Sequence, residues 1–81
     1  MEAAFQEAAK QVTTLPSVSQ EDQLSLYGLY KQATVGDVNT ARPGIFDIKG
    51  RAKWDAWEKR KGLAKEAAMT EYVALVKRLS G

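Results

Sequence analysis

Ser19-Gln20-Glu21-Asp22-Gln23-Leu24-Ser25-Leu26-Tyr27-Gly28-Leu29-Tyr30-Lys31-Gln32-Ala33-Thr34-Val35-Gly36-Asp37 carries both a start and a stop signal for one helix. The Ser19 hydroxyl can accept from orphan backbone N–H groups, and Glu21 and Asp22 suit the positive end of the helix dipole. Gly36-Asp37 supplies the break, so the run is predicted to end at Thr34 or Val35. At ~100° per position, Leu26, Leu29, Tyr30 and Ala33 share one arc and should face a core. Leu24, Tyr27 and Lys31 fall on a neighbouring arc, with Tyr30 at the border. Packing accounts for the first arc. It does not account for the second.

Three further stripes of helical period flank this one. From about Glu2 to Thr14, Ala4, Phe5, Ala8, Ala9, Val12 and Leu15 line one face. Leu15-Pro16-Ser17 breaks that helix, because proline disfavours the α conformation in the residue before it. A third helix is predicted from Arg51 to Lys61, stopped by Gly62, and carries Trp54 and Trp57. The fourth, Ala64 to Leu79, has Ala68, Tyr72, Leu75, Val76 and Leu79 on its stripe, but Leu63 and Ala64 offer no capping side chain at its start. Between the second and third helices, Gly36 to Gly50 is rich in turn formers and long enough to cross a bundle. Its large apolar residues, Ile45, Phe46 and Ile48, predict that this loop packs into the core. Four helices and no strand pattern make an all-α bundle, and the chain reads as a single domain over residues 1–81.

Composition narrows the function. Charged residues make up 27% and hydrophobic ones 44%, the balance of a folded chain rather than a disordered one. A net charge of +2 is too small for a nucleic-acid footprint, so no nucleic-acid partner is expected. Cysteine and histidine are both absent, which removes disulfides, the usual zinc ligands, the best thiol nucleophile and the commonest general base. No triad spacing, Gly-rich phosphate loop or metal-ligand motif appears. The expectation is a cytoplasmic binding protein that performs no catalysis and uses no cofactor or metal. No apolar run approaches membrane-spanning length, and the start lacks the order of a signal peptide.

The candidate site begins with Tyr27, Tyr30 and Lys31. Singly these are ordinary surface residues. Together, two phenols and an ammonium within about one turn suit phosphate and the face of a flat base. Lys49, Arg51 and Lys53 cluster where the third helix begins, near backbone N–H groups that favour anions. Lys59-Arg60-Lys61 instead lies at that helix's C-terminal end, where cations complement the dipole. At least one of Trp54 and Trp57 is expected to be buried packing. Tyr72 admits two readings: a core tyrosine bonded to backbone, or one that points its hydroxyl into a ligand cleft. The residues alone therefore point to a phosphorylated, partly aromatic ligand.

At these positions the chain resembles the acyl-CoA-binding proteins, small carriers of long-chain fatty acyl-CoA esters. The resemblance spans nearly all of the sequence. It is strongest at Tyr30-Lys31-Gln32-Ala33-Thr34-Val35-Gly36-Asp37, Arg42-Pro43-Gly44 and Lys53-Trp54-Asp55-Ala56-Trp57. It implies an up-down-down-up four-helix bundle with a long overhand loop between the second and third helices, and a ligand that is carried unchanged. Carried over by position, Lys31 and Lys53 meet the 3′-phosphate and adenine end of coenzyme A. Tyr27, Tyr30 and Tyr72 hold the phosphoadenosine, and Lys49 is a further lining position. Gly28 and Leu29 belong to the same binding segment as backbone or packing elements. Ala8, Ala9 and Leu24 are either groove contacts for the acyl chain or ordinary helix packing. Many family members have a lysine near the end of the first helix, where this chain has Thr13, and the weak cap at Leu63-Ala64 is a second departure. The resemblance also implies a monomer that exchanges ligand with acyl-CoA-producing and -consuming enzymes and makes at most transient membrane contact. The alternative is a helical module that docks a protein or membrane through a basic amphipathic surface.

Overall fold

A computed structural model describes residues 1–81 as four helices: α1 (Glu2–Val12), α2 (Gln20–Thr34), α3 (Ile48–Glu58) and α4 (Lys65–Ser80). The start of α2 is the one its sequence prescribes, with the Ser19 hydroxyl accepting from the Asp22 N–H at 3.1 Å. α1 ends slightly earlier than its stripe suggests. Thr13 and Thr14 tighten into i→i+3 turns, each bonding its own N–H and hydroxyl to the carbonyl three residues back. α4 begins behind Ala64, whose extended backbone (φ −63, ψ 147) fits a cap position with no side chain to fill it.

The third helix is displaced from the span predicted for it. It begins at Ile48, three residues upstream of the expected start, because the Asp47 carboxylate caps it by accepting from the Gly50 N–H at 3.0 Å. Its far end unwinds after Glu58 into turns that close at Gly62, whose φ of +90 lies in the left-handed region.

Registry between the helices fixes the topology. Tyr27 meets Lys53 and Lys31 meets Trp57, so α2 and α3 run parallel. Asp22 approaches Arg78 at 3.6 Å while Gln32 donates to the Leu63 carbonyl at 2.7 Å, so α2 and α4 run antiparallel. Phe5 stacks on Tyr30 while Val12 and Leu26 border one depression, which sets α1 antiparallel to α2. The order is up-down-down-up, with α2 packed on α3 and α4, and α1 on α4.

The core gathers Phe5 and Ala8 from α1, Leu26, Leu29 and Ala33 from α2, and Ala68, Met69, Tyr72, Leu75 and Val76 from α4. Val76 and Ala68 are fully enclosed on the predicted stripe. Two residues assigned to apolar faces sit elsewhere: Ala4 is exposed, and Tyr30 leaves 41% of its surface in solvent.

The overhand loop departs most from expectation. Ile45, Phe46 and Ile48 do not enter the core; they are 68%, 94% and 78% exposed. Polar and aromatic anchors hold the loop instead. Trp54 Nε1 donates to the Thr40 carbonyl at 2.9 Å, Trp57 Nε1 to the Gly36 carbonyl at 2.8 Å, and Arg42 forks onto Asp55 at 3.0 and 2.8 Å. With those attachments made, the apolar tip is left outside.

Candidate functional site

The site is an open face carried mainly by one flank of α2. Cα extents of 36 × 27 × 15 Å make the molecule too thin for a deep internal cavity. Along this flank, Tyr27, Tyr30 and Lys31 succeed one another within a turn, and each meets a different partner.

On the α3 side, Lys53 Nζ lies 5.5 Å from the centre of the Tyr27 ring and Lys31 Nζ lies 4.9 Å from that of Trp57. Each cation is drawn to the negative face of a ring, an interaction of about 0.5–1 kcal/mol at exposed sites. The two pairs are crossed: one takes its cation from α3 and its ring from α2, the other the reverse. Two ammonium groups are thereby held over one seam, where like charge alone would separate them. An anion bridging them would relieve that repulsion.

Close approach of the helices makes the pairs possible. Gly28 faces the Ala56 backbone, and a Cβ there would collide with the Ala56 carbonyl oxygen. Gly28 and Leu29 are both buried beneath this face.

On the α4 side, Tyr30, Phe5 and Tyr72 form an aromatic triad. Ring centres lie 5.6 Å apart for Phe5–Tyr30, 5.1 Å for Phe5–Tyr72 and 6.1 Å for Tyr30–Tyr72. Phe5 is wholly enclosed and supports the two tyrosines from beneath. The Tyr72 residue is 96% covered, leaving 4% of its surface in solvent, yet its hydroxyl is not among the sealed polar atoms that lack a partner. The ring is core, as the first reading has it, but no backbone group takes the hydroxyl, whose end reaches the surface. Burial, and then the neighbouring Tyr30, push its phenol above the usual tyrosine value, which keeps it a neutral donor at physiological pH.

Lys49 and Lys53 extend the face toward the start of α3. They join Gln20, Gln23, Leu24 and Ala52 around a depression of about 240 Å³ between the first turns of the parallel helices. Leu24 and Ala52 give it an apolar wall. Of the three groove candidates, Leu24 alone lines it. Ala8 is buried in the core and Ala9 packs against it.

A clamp that the sequence reading missed braces the C-terminal end of α2. Gln32, 1% exposed on a helix face otherwise apolar, donates to Asp37 Oδ1 at 2.9 Å and to the Leu63 carbonyl at 2.7 Å. Asp37 also accepts from the Gly62 N–H at 2.9 Å, which holds its carboxyl below the usual range; the Gln32 amide and then Lys61 add to the effect. The available signal was an amide beside the core arc, five residues ahead of an acid just past the helix end. Trp57 is the buried member of the Trp54/Trp57 pair, and its ring also carries Lys31. From the Lys59-Arg60-Lys61 run, Arg60 pairs with Glu71 at 3.8 Å, in keeping with a structural role. No group of three or more acidic, histidine or cysteine side chains converges on a metal-sized point.

Fold and site together define a small helical ligand-binding domain that presents phenols, ammonium groups and an apolar wall on one open face. The family model described as "Acyl CoA binding protein" matches residues 2–76. Rice acyl-CoA-binding domain-containing protein 3 is 63% identical over 93% of the chain, which spans 49% of that relative's length. Rice acyl-CoA-binding domain-containing protein 1 is 60% identical over 93% of the chain and 84% of its own length. The crystal structure of Oryza sativa acyl-CoA-binding protein 2 superposes with a TM-score of 0.95 at 55% identity, covering 98% of this chain and 89% of that one. The solution structure of the yeast acyl-coenzyme A binding protein gives 0.73 at 54% identity, covering 93% and 88%. This chain belongs to the acyl-CoA-binding protein family.

Proposed function

We propose that this domain binds medium- to long-chain acyl-CoA esters as an intracellular carrier and pool former, without converting them. The observation that carries the proposal is the seam where Tyr27·Lys53 and Lys31·Trp57 lie beside Tyr30 and Tyr72. Lys31 and Lys53 take the phosphates of the nucleotide head. Tyr27 and Tyr30 pack against its rings, and the Tyr72 hydroxyl donates from a ring fixed by Phe5. Lys49 adds charge at the end where Leu24 and Ala52 begin to shelter the acyl chain.

Labour is divided between the two halves of the ligand. Burying a methylene contributes about 0.8 kcal/mol, so about a dozen contribute roughly 10 kcal/mol before association and ordering costs. Affinity therefore rises with chain length. The exposed ammonium groups set specificity and steer association, and salt screens them. The role is carriage of the thioester and its exchange with enzymes that make and use it, a reading the binding character of the family supports. The cysteine-free composition supports a reducing compartment such as the cytoplasm, and the domain's size supports a monomer.

Calorimetric titration with palmitoyl-CoA, free CoA and free palmitate tests this reading. The thioester should bind far more tightly than either fragment, and equal affinity for the free fatty acid would remove the nucleotide half of the argument. The docking-module alternative is not favoured by the family match as the domain's principal role.

A further inference from the structure

The overhand loop presents an apolar tip to which the carrier reading assigns no part. The three most exposed large apolar side chains of the whole protein, Phe46, Ile48 and Ile45, lie within four consecutive positions. Their exposure is built in. The Asp47 N–H closes a turn on the Gly44 carbonyl at 3.0 Å, placing Ile45 and Phe46 at its apex. Behind the turn, Arg42–Asp55 and Trp54–Thr40 tie the loop to α3 and hold the apex away from the core.

The charges around the tip are predominantly positive. Between residues 42 and 53 there are four cations and the single carboxylate of Asp47, which is engaged in capping α3. Arg42 is neutralised by Asp55. Lys49, exposed and next in sequence to Ile48, remains beside the tip, with Arg51 and Lys53 on the following turn. Apolar side chains projecting ahead of a cationic collar match the layering of an anionic bilayer, where acyl chains lie beneath negative headgroups.

We infer that the 45–48 tip docks this protein, weakly and reversibly, on anionic lipid bilayers. A bilayer suits the geometry better than a protein partner does. A stable protein interface needs about 1,000 Å² or more with good complementarity, whereas a convex turn bearing three side chains offers far less. A lipid surface accepts a few protruding side chains, and so small an anchor gives only marginal binding, in keeping with transient contact. This docking does not rest on the acyl-CoA reading and is measured on ligand-free protein.

Flotation with phosphatidylcholine vesicles, with and without phosphatidylserine, tests the inference. The protein should float with the anionic vesicles at low salt, much less with neutral ones, and dissociate at high salt. Phe46→Ser should lower the vesicle partition coefficient by about tenfold, with thermal unfolding and palmitoyl-CoA titration unchanged. The chain has no native cysteine, so an environment-sensitive dye on Ile45→Cys should shift to the blue on anionic vesicles, while the same dye on Thr70→Cys of α4 should not. Failure to float at low salt, or equal flotation of Phe46→Ser, overturns the proposal. So does a Phe46-dependent self-association in lipid-free sedimentation, which makes the tip a contact between copies. A loss of palmitoyl-CoA affinity in Phe46→Ser with flotation intact also overturns it, and assigns the tip to the ligand's acyl chain. Absence of palmitoyl-CoA binding in the parent protein counts against the carrier reading alone.

Discussion

Gly28→Ala tests the seam on which the site depends, because two opposing effects meet at one atom. Alanine is the better helix former by about 0.8–1.0 kcal/mol, so an isolated α2 would be strengthened. In the folded protein the new methyl would sit inside the Ala56 carbonyl oxygen's contact distance, 2.7 Å from the carbonyl carbon and 3.2 Å from the Trp57 nitrogen. These are backbone atoms of α3, so no side-chain rotation relieves the contact. α3 must recede by about an ångström to restore ordinary C···O separation. Overpacking of this kind costs typically 1–3 kcal/mol, and a backbone-on-backbone clash belongs at the upper end. After the propensity gain, the net expectation is a loss of about 2 kcal/mol, or roughly 10 °C in Tm for a domain of this size.

Urea unfolding followed by tryptophan fluorescence measures the effect directly, since Trp54 and Trp57 both lie on α3. Gly44→Ala is the matched control. It sits on the loop with nothing within 4 Å of a built Cβ and no positive φ, so it should be neutral or stabilising by about 0.4–1 kcal/mol. The two Gly→Ala changes should therefore move stability in opposite directions. Palmitoyl-CoA affinity should fall in Gly28→Ala, because separating the helices parts Tyr27 from Lys53 and Lys31 from Trp57. A Gly28→Ala protein as stable as the parent, with unchanged affinity, would show that the α2–α3 approach is loose and that the site does not depend on it.

The other predictions concern charge, caps and a hydroxyl. Lys31→Ala and Lys53→Ala should each weaken palmitoyl-CoA binding about ten- to a hundredfold, the scale of a charged hydrogen bond, with the loss shrinking at high salt in calorimetry; a salt-independent loss points to misfolding. Tyr72→Phe should leave urea stability within about 0.5 kcal/mol, so any fall in ligand affinity reports the hydroxyl reaching the ligand. Ala64→Ser should stabilise the protein by about 0.5–2 kcal/mol by giving α4 the acceptor it lacks, measured as a shift in the urea midpoint at unchanged slope. Asp37 and Asp55 have folded pKa values below their ordinary 3.8, so their contribution to stability is present above that value and lost as pH falls through the depressed ones. Acid titration by circular dichroism should show a flatter decline in Asp37→Asn than in the parent protein.

What could be read from sequence follows from which interactions are local. The Ser19 cap, Leu26, Leu29 and Ala33 of the α2 core arc, and the α4 stripe rest on contacts within a few residues, and each appears where its spacing places it; Tyr30, at the border of that arc, stays 41% exposed. The missing cap at Ala64 was legible for the same reason. The α3 start was misplaced because Asp47 was read as part of a loop rather than as an N-cap, although its carboxylate lies three residues from the N–H it accepts. Ile45, Phe46 and Ile48 misled because hydrophobicity says what a side chain prefers, and the chain's other attachments decide what it can reach. Of the site, Tyr27, Tyr30 and Lys31 share one flank by helical period alone. The pairings with Lys53 and Trp57, however, join positions 26 apart in sequence, and only the α2–α3 register creates them.

That register also explains why the loop takes the form it does. Antiparallel helices can be joined by a short turn, but parallel neighbours require the chain to return along the bundle before descending again. The segment from Val35 to Asp47 makes that return across the outside of a thin molecule, where there is little core to receive it. Backbone hydrogen bonds from helix or sheet are unavailable there, so the loop is fastened by side chains of the helix it leads into: the two indoles and the Asp55 carboxylate. Trp57 takes part in both arrangements. Its N–H holds the start of the loop at Gly36 while its ring face carries the Lys31 ammonium. Loop attachment and ligand face are thus coupled through one side chain. Trp57→Phe, which keeps a ring and deletes the N–H, should loosen the 36–40 segment in hydrogen exchange while retaining most of the affinity for palmitoyl-CoA. If both properties collapse together, the N–H bond to Gly36 is what positions the ring, and the seam is organised from the loop inward rather than from the helices outward.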